Sequence, residues 1–170
     1  MKQNKTNIKK ATMKQRGSFE FMLKVVKEDG LALEYASNRL RNDDRLVLAS
    51  VTNNGLALKY ASERLRDSFD HVTLAVSNHG PALKYASERL RDNWRLVMVA
   101  ISKNGLALQY ASEELRDNWR YVMTAVTNCG KALQYASERL KDNKKVVKLA
   151  IKNDSAALEF ASKRLQDKLK

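Results

Sequence analysis

Few side chains in this chain could do covalent or metal chemistry: two histidines, His71 and His79, and one cysteine, Cys129. A nucleophile needs an adjacent base, and the base needs an orienting group. A structural zinc site needs recurrent Cys or His ligands. Neither pattern can be assembled from one thiol and two imidazoles. His79 and Cys129 both directly precede a glycine, where Asn54, Asn104 and Asp154 stand elsewhere in the chain, so they read as polar helix-end residues. Glu113 and Glu114 are adjacent carboxylates, but neighbouring helical positions point in different directions. The sequence has no Gly-rich phosphate loop and no metal-spaced His/Cys/Asp cluster. The expectation is a protein that is not an enzyme, with no catalytic residues, no metal and no cofactor.

Binding chemistry is better represented. Phe19, Phe69, Trp94 and Trp119 recur at one place in a repeating pattern, and Arg64, Arg89 and Arg139 recur at another. Aromatic rings and arginines are the usual anchors of protein interfaces, so these seven residues are the candidate site for a protein or peptide partner. Lys2, Lys5, Lys9, Lys10, Lys14 and Arg16 fill the first seventeen residues without an acid, and Lys144, Lys145, Lys148 and Lys152 crowd the last repeat. These two clusters are the alternative: association with nucleic acid or another polyanion, with affinity set by counterion release.

The elements that must position these groups are set by an internal repeat. Ala32–Leu40, Ala57–Leu65, Ala82–Leu90, Ala107–Leu115, Ala132–Leu140 and Ala157–Leu165 all read A-L-x-(Y/F)-A-S-x-x-L, each starting 25 residues after the last. The repeats are 18–42, 43–67, 68–92, 93–117, 118–142 and 143–167, with a basic, flexible head at 1–17 and a short tail at 168–170. Each opens on Ser18, Asp43, Ser68, Asn93, Asn118 or Asn143, all side chains that cap helix N-termini. Apolar residues then recur at helical spacing, as in Val97, Ala100 and Ile101. Gly30, Gly55, Gly80, Gly105 and Gly130 end this first helix in left-handed geometry or cap the second. Pro81, which suits a first helical turn, favours the second role. The second helix turns Leu58, Ala61 and Leu65 to one face and stops at an Arg-Asp-Asn turn. Neither helix is long enough to stand alone. The predicted fold is therefore all-α, an α-solenoid of six helix-turn-helix repeats in which each touches chiefly its neighbours.

The pattern A-L-x-Y-A-S-E-R-L-R-D-(N/S), preceded by V-x-x-A-(V/I)-x-x-N-G, resembles the short helical repeat of the domain-of-unknown-function 4116 family, over residues 18–167. The resemblance implies tandem arrays of the kind found in bacteria, protists and large viruses, and it supplies no functional residues to carry over. Glu114, Asn38, Lys163 and Ser155 depart from the pattern.

Composition bounds the rest. The 170 residues carry a formal net charge of +13. The first four repeats are each neutral, so the excess falls in the head (+6), the fifth repeat (+2) and residues 143–170 (+5). The matching Asp and Glu residues predict a ladder of exposed ion pairs between turns. A single Cys excludes a disulfide framework and points to a reducing, cytoplasmic setting. The longest apolar run, Leu96 to Ile101, falls far short of the roughly 20 residues of a membrane span. No secretory signal pattern opens the chain.

Overall fold

A computed structural model describes residues 8–169 of the protein. Among these residues all regular structure is helical, and the chain divides into two compact units, Met1–Ser87 and Glu88–Lys170. Within each unit the repeats stack as an all-α solenoid.

Every repeat contains one ten-residue α-helix: Phe19–Glu28, Asp44–Asn53 and Phe69–Asn78 in the first unit, Trp94–Lys103, Trp119–Asn128 and Lys144–Asn153 in the second. All six begin directly after the capping residue read from the sequence. The Asp43, Asn93 and Asn143 side chains each accept from two first-turn amides. One stripe of each helix is buried, as with Leu46, Val47, Ser50 and Val51 in repeat two. Ala57, Leu58 and Leu65 close the core from the other layer of that repeat.

That other layer differs from the single second helix expected. It is a six-residue 3₁₀ segment, such as Gly55–Tyr60, followed by an extended residue, Ala61 (φ −68°, ψ 156°), and a four-residue α-helix, Glu63–Arg66. The break follows from how the conserved-looking Ala-Ser pair is used within the array. Ser62 caps the short helix by accepting from the Leu65 amide, while its own amide donates to the Arg41 carbonyl of the preceding repeat at 2.9 Å. A continuous helix would turn that amide inward, so the cross-repeat bond requires the extended step.

The glycines also behave differently from both roles expected of them. None has positive φ. The residue before each glycine serves as C-cap of the long helix and N-cap of the 3₁₀ segment, and Asn54 does both. What requires glycine is close approach: a Cβ on Gly30, Gly55, Gly105 or Gly130 would lie within 3.0 Å of the carbonyl oxygen of Ser50, Ala75, Ala125 or Ala150 in the following repeat. Ser155, at the glycine place of the sixth repeat, is exposed.

The head expected to be flexible is partly folded. Met13–Gly17 is a short α-helix with a capping box between Thr12 and Gln15, and Ile8 is buried. The Arg16 carbonyl accepts from the Ser37 amide at 3.0 Å, the bond that joins repeat to repeat elsewhere. Residues 8–17 thus stand in for the second layer of a preceding repeat. Lys2 and Lys5 lie outside the described residues.

Gly105→Ala is expected to lower stability, because overpacking against a fixed carbonyl costs about 1–3 kcal/mol. That outweighs the roughly 0.4–1 kcal/mol gained by restricting the unfolded chain. Ser155→Ala should shift it by no more than about 0.5 kcal/mol. Urea midpoints of the two variants check the contrast.

Candidate functional site

The arginines singled out from sequence turn toward the preceding repeat. Arg64 donates through Nε to the Asn42 side chain at 2.9 Å and through Nη2 to the Asn42 carbonyl and the Asp44 carboxylate, the last at 2.7 Å. Arg139 grips Asp117 in the same way, and Arg164 grips Asp142. Arg89 is also engaged. The Ser137 and Ser162 hydroxyls donate to the same two carboxylates. The ladder of exposed ion pairs is therefore present, and it occupies the arginine fork that a partner would have used. Ser37 stands where this bond has no acceptor, because Gly17 occupies the aspartate position, and its hydroxyl is buried without a partner.

These contacts shift proton affinities. Hydrogen bonds from Ser137 and then Arg139 lower the Asp117 pKa, and those from Arg164 and then Ser162 lower that of Asp142. The Arg64 hydrogen bond lowers Asp44.

A second ladder joins the long helices. Asn53 donates to the Lys27 carbonyl and accepts from the Gly30 amide, both at 2.8 Å. Asn153 repeats this against Thr127 and Gly130. Asn78 donates to the Val51 and Thr52 carbonyls of its preceding repeat, and Asn128 to those of Ile101 and Ser102. Sequence reasoning missed these asparagines, although their recurrence one place before the cap residue in four of the six repeats was a legible signal.

Both histidines are engaged in contacts within the array. His71 is 4% exposed and fills a core place held by Leu46 and Leu96 in other repeats. Its Nδ1 meets the Ser68 hydroxyl at 2.9 Å, while Nε2 lies 3.4 Å from the Asp44 carbonyl and 3.8 Å from its carboxylate. Ser, His and Asp are thus near one another, a grouping the sequence reading did not anticipate. The Asp44 carboxylate is committed to Arg64, and the cluster ties two helix starts together. His79 accepts the Gly55 amide through Nδ1 at 3.2 Å. Cys129 is a half-buried helix-end residue whose side chain makes no cap bond. Among the described residues no group of three His, Cys, Asp or Glu could hold a metal ion.

The rings behave otherwise. Trp94 is 56% exposed, Trp119 48% and Phe69 42%. Phe19 is half-buried beneath the Arg45 guanidinium, 4.4 Å from its centroid. Lys144, Lys145, Lys148 and Lys152 are all exposed, as are Lys9, Lys10 and Lys14, whereas Arg16 is half-buried with its guanidinium bonded to the Lys9 carbonyl.

On the 3₁₀ layer, an equivalent cleft recurs where successive repeats meet within a unit. Tyr60 and Tyr85 line clefts of about 540 and 300 Å³ in the first unit, and Tyr110 and Tyr135 line clefts of about 420 and 450 Å³ in the second. Each adds the Ala-Ser pair after the tyrosine; the Tyr85, Tyr110 and Tyr135 clefts add the Glu and Arg of the preceding short helix, whereas the Tyr60 cleft has Asn38 and Arg41 there and takes Glu63 and Arg66 from its own repeat. Arg66, Arg91 and Arg116 pair loosely with exposed glutamates, as in Arg91 with Glu88 at 3.6 Å.

The fold and its junctions define an array of helical solenoid repeats. The model of the family described as "Domain of unknown function (DUF4116)" matches residues 18–66, 72–116 and 118–166, and the chain belongs to that family. Each match takes in about two of the 25-residue repeats. No curated protein and no solved structure matches the chain. No helix among the described residues is long and apolar enough to cross a membrane.

Acid should weaken the junctions in a defined direction. Asp117 and Asp142 have lowered pKa values, so their contribution is full above the ordinary Asp value of about 3.9 and is lost as pH falls through their folded values. Thermal midpoints should therefore drop below about pH 4. Asp117→Asn with Asp142→Asn should flatten that drop while lowering the midpoint at pH 7.

Proposed function

We propose that the protein is a non-enzymatic interaction module, a repeat scaffold that holds a protein or peptide partner in a cytoplasmic setting. The observation that carries this reading is the recurrence of one cleft at successive junctions. Stacked helices sit about 8–10 Å apart, and an extended chain advances about 3.3–3.6 Å per residue. A peptide laid along the clefts of one unit would therefore meet an equivalent tyrosine every third residue or so. Each cleft offers an aromatic face, a serine and a guanidinium whose glutamate partner is free to swing away, which suits a segment carrying acidic side chains. Selection from a displayed peptide library should enrich such segments. Tyr110→Ala with Tyr135→Ala should weaken the selected peptides about tenfold or more, the usual scale for aromatic anchors. Failure to enrich any peptide, or enrichment indifferent to both tyrosines, would reject the scaffold reading.

The alternative, polyanion association, gains support from a separate observation. Lys144, Lys145, Lys148 and Lys152 are exposed with no carboxylate within 4.0 Å among the described residues.

A further inference from the structure

The long helices of the second unit differ in charge from everything around them. Trp94–Lys103, Trp119–Asn128 and Lys144–Asn153 contain Arg95, Lys103, Arg120, Lys144, Lys145, Lys148 and Lys152, and no Asp or Glu. The corresponding helices of the first unit carry Lys24, Lys27 and Arg45 against Glu20, Glu28, Asp44 and Asp70. Net charge per repeat hides this contrast, because the acids of the second unit sit on its other layer and in its turns. There they are used: Glu113 pairs with Arg116, Asp117 with Arg139, Glu138 with Lys141, and Asp142 with Arg164. All seven cations of the long helices are exposed, and none has a carboxylate within 4.0 Å among the described residues. Seven uncompensated charges on three neighbouring helices form a field that a polyanion would relieve.

The two exposed indoles lie within that field. Trp94 and Trp119 each follow the N-cap directly, on consecutive helices that pack side by side. The Arg95 guanidinium stands 4.9 Å from the Trp94 ring. Arg120 and Lys145 occupy the register from which Arg45, in the first unit, reaches the ring of the repeat before it. Repeats four and five of the layer thus each set a flat aromatic face beside a cation, and repeat six continues it with cations alone. Protein surfaces that hold single-stranded nucleic acid combine those two elements, rings on which bases stack and cations that follow the phosphates. A duplex hides its base faces and would leave the indoles unused. An acidic polypeptide would use the cations but has no regular series of planar groups to match the rings of repeats four and five.

We propose that the long-helix layer of residues 94–153 is a binding site for single-stranded nucleic acid, with Trp94 and Trp119 as stacking platforms and Arg95, Arg120, Lys144, Lys145 and Lys148 along the phosphates. The site rests on the polyanion reading and is independent of the tyrosine clefts. It centres that association on repeats four to six.

Trp94 and Trp119 are the two tryptophans of the chain, so intrinsic fluorescence reads the site directly. The probes are a 20-nucleotide oligo-dT, a duplex of the same length and poly-glutamate, titrated into the full-length protein at several salt concentrations. Oligo-dT should quench the indoles and bind more tightly than either other probe. Anisotropy of the labelled strand should then show Trp94→Ala with Trp119→Ala weakening binding at least tenfold with an unchanged salt slope. Trp94→Phe with Trp119→Phe should stay within about threefold of the wild type, since a phenyl ring still stacks. Lys145→Gln with Lys148→Gln should instead flatten the logarithmic salt slope by about 1.4, at roughly 0.7 per cation on a single strand. Thermal unfolding of each variant establishes that it is folded. Equal binding of duplex or poly-glutamate, or a double alanine variant that binds like the wild type, overturns the stacking site while leaving a bare polyanion surface. No binding by any probe overturns both.

Discussion

Everything in this array depends on how closely the backbone of one repeat approaches the next. Glycine at one place in the repeat lets the start of the 3₁₀ segment come against a carbonyl on the following long helix. With that separation fixed, the asparagine side chain spans to the preceding helix end, and the serine amide reaches the preceding short helix. The aspartate that accepts the serine hydroxyl also accepts the arginine fork. A side chain at the glycine would put all three sets of bonds out of reach together, because each has a reach of only about 3 Å.

This dependence divides the repeat into a part committed to its neighbours and a part left over. Ser, Asp, Asn and Arg at the junction positions are occupied, as is His71 in the core. The tyrosine clefts and the exposed face of the long helices are left over. The first long-helix layer is nearly balanced in charge, and the second is wholly basic with two bare indoles. A scaffold of nearly identical repeats thus carries two different outer surfaces on the same internal bonding.

Much of this was legible in the sequence because a period of 25 residues repeats each signal. The caps Asp43, Asn93 and Asn143 and the stripe of Leu46, Val47 and Val51 could be read directly, and so could the Asp–Arg ladder. What could not be read depends on where a neighbouring repeat sits. Gly55 resembled a helix terminator because glycine is common there; its actual constraint is Ala75, twenty positions later. Ala61 and Ser62 looked like the middle of a helix, since nothing local reveals that the serine amide bonds to Arg41. Arg64 and Arg139 looked like interface anchors for the same reason. Trp94 and Trp119 were legible as a recurrent pair, whereas the bareness of the cations beside them emerged only when the acids were located on the other layer.

The bonds between repeats have one more property. Their partners are separated by 20 to 27 residues, from Ser137 with Asp117 to Asn128 with Ile101. Closing a loop costs entropy that grows only with the logarithm of its length, so each junction closes at nearly the same entropic cost wherever it lies. Lengthening such an array by whole repeats adds junctions without making any of them harder to form. The chain can therefore grow or shrink by duplication or loss of a repeat without changing the difficulty of folding any one part, provided the glycine at each new junction is kept.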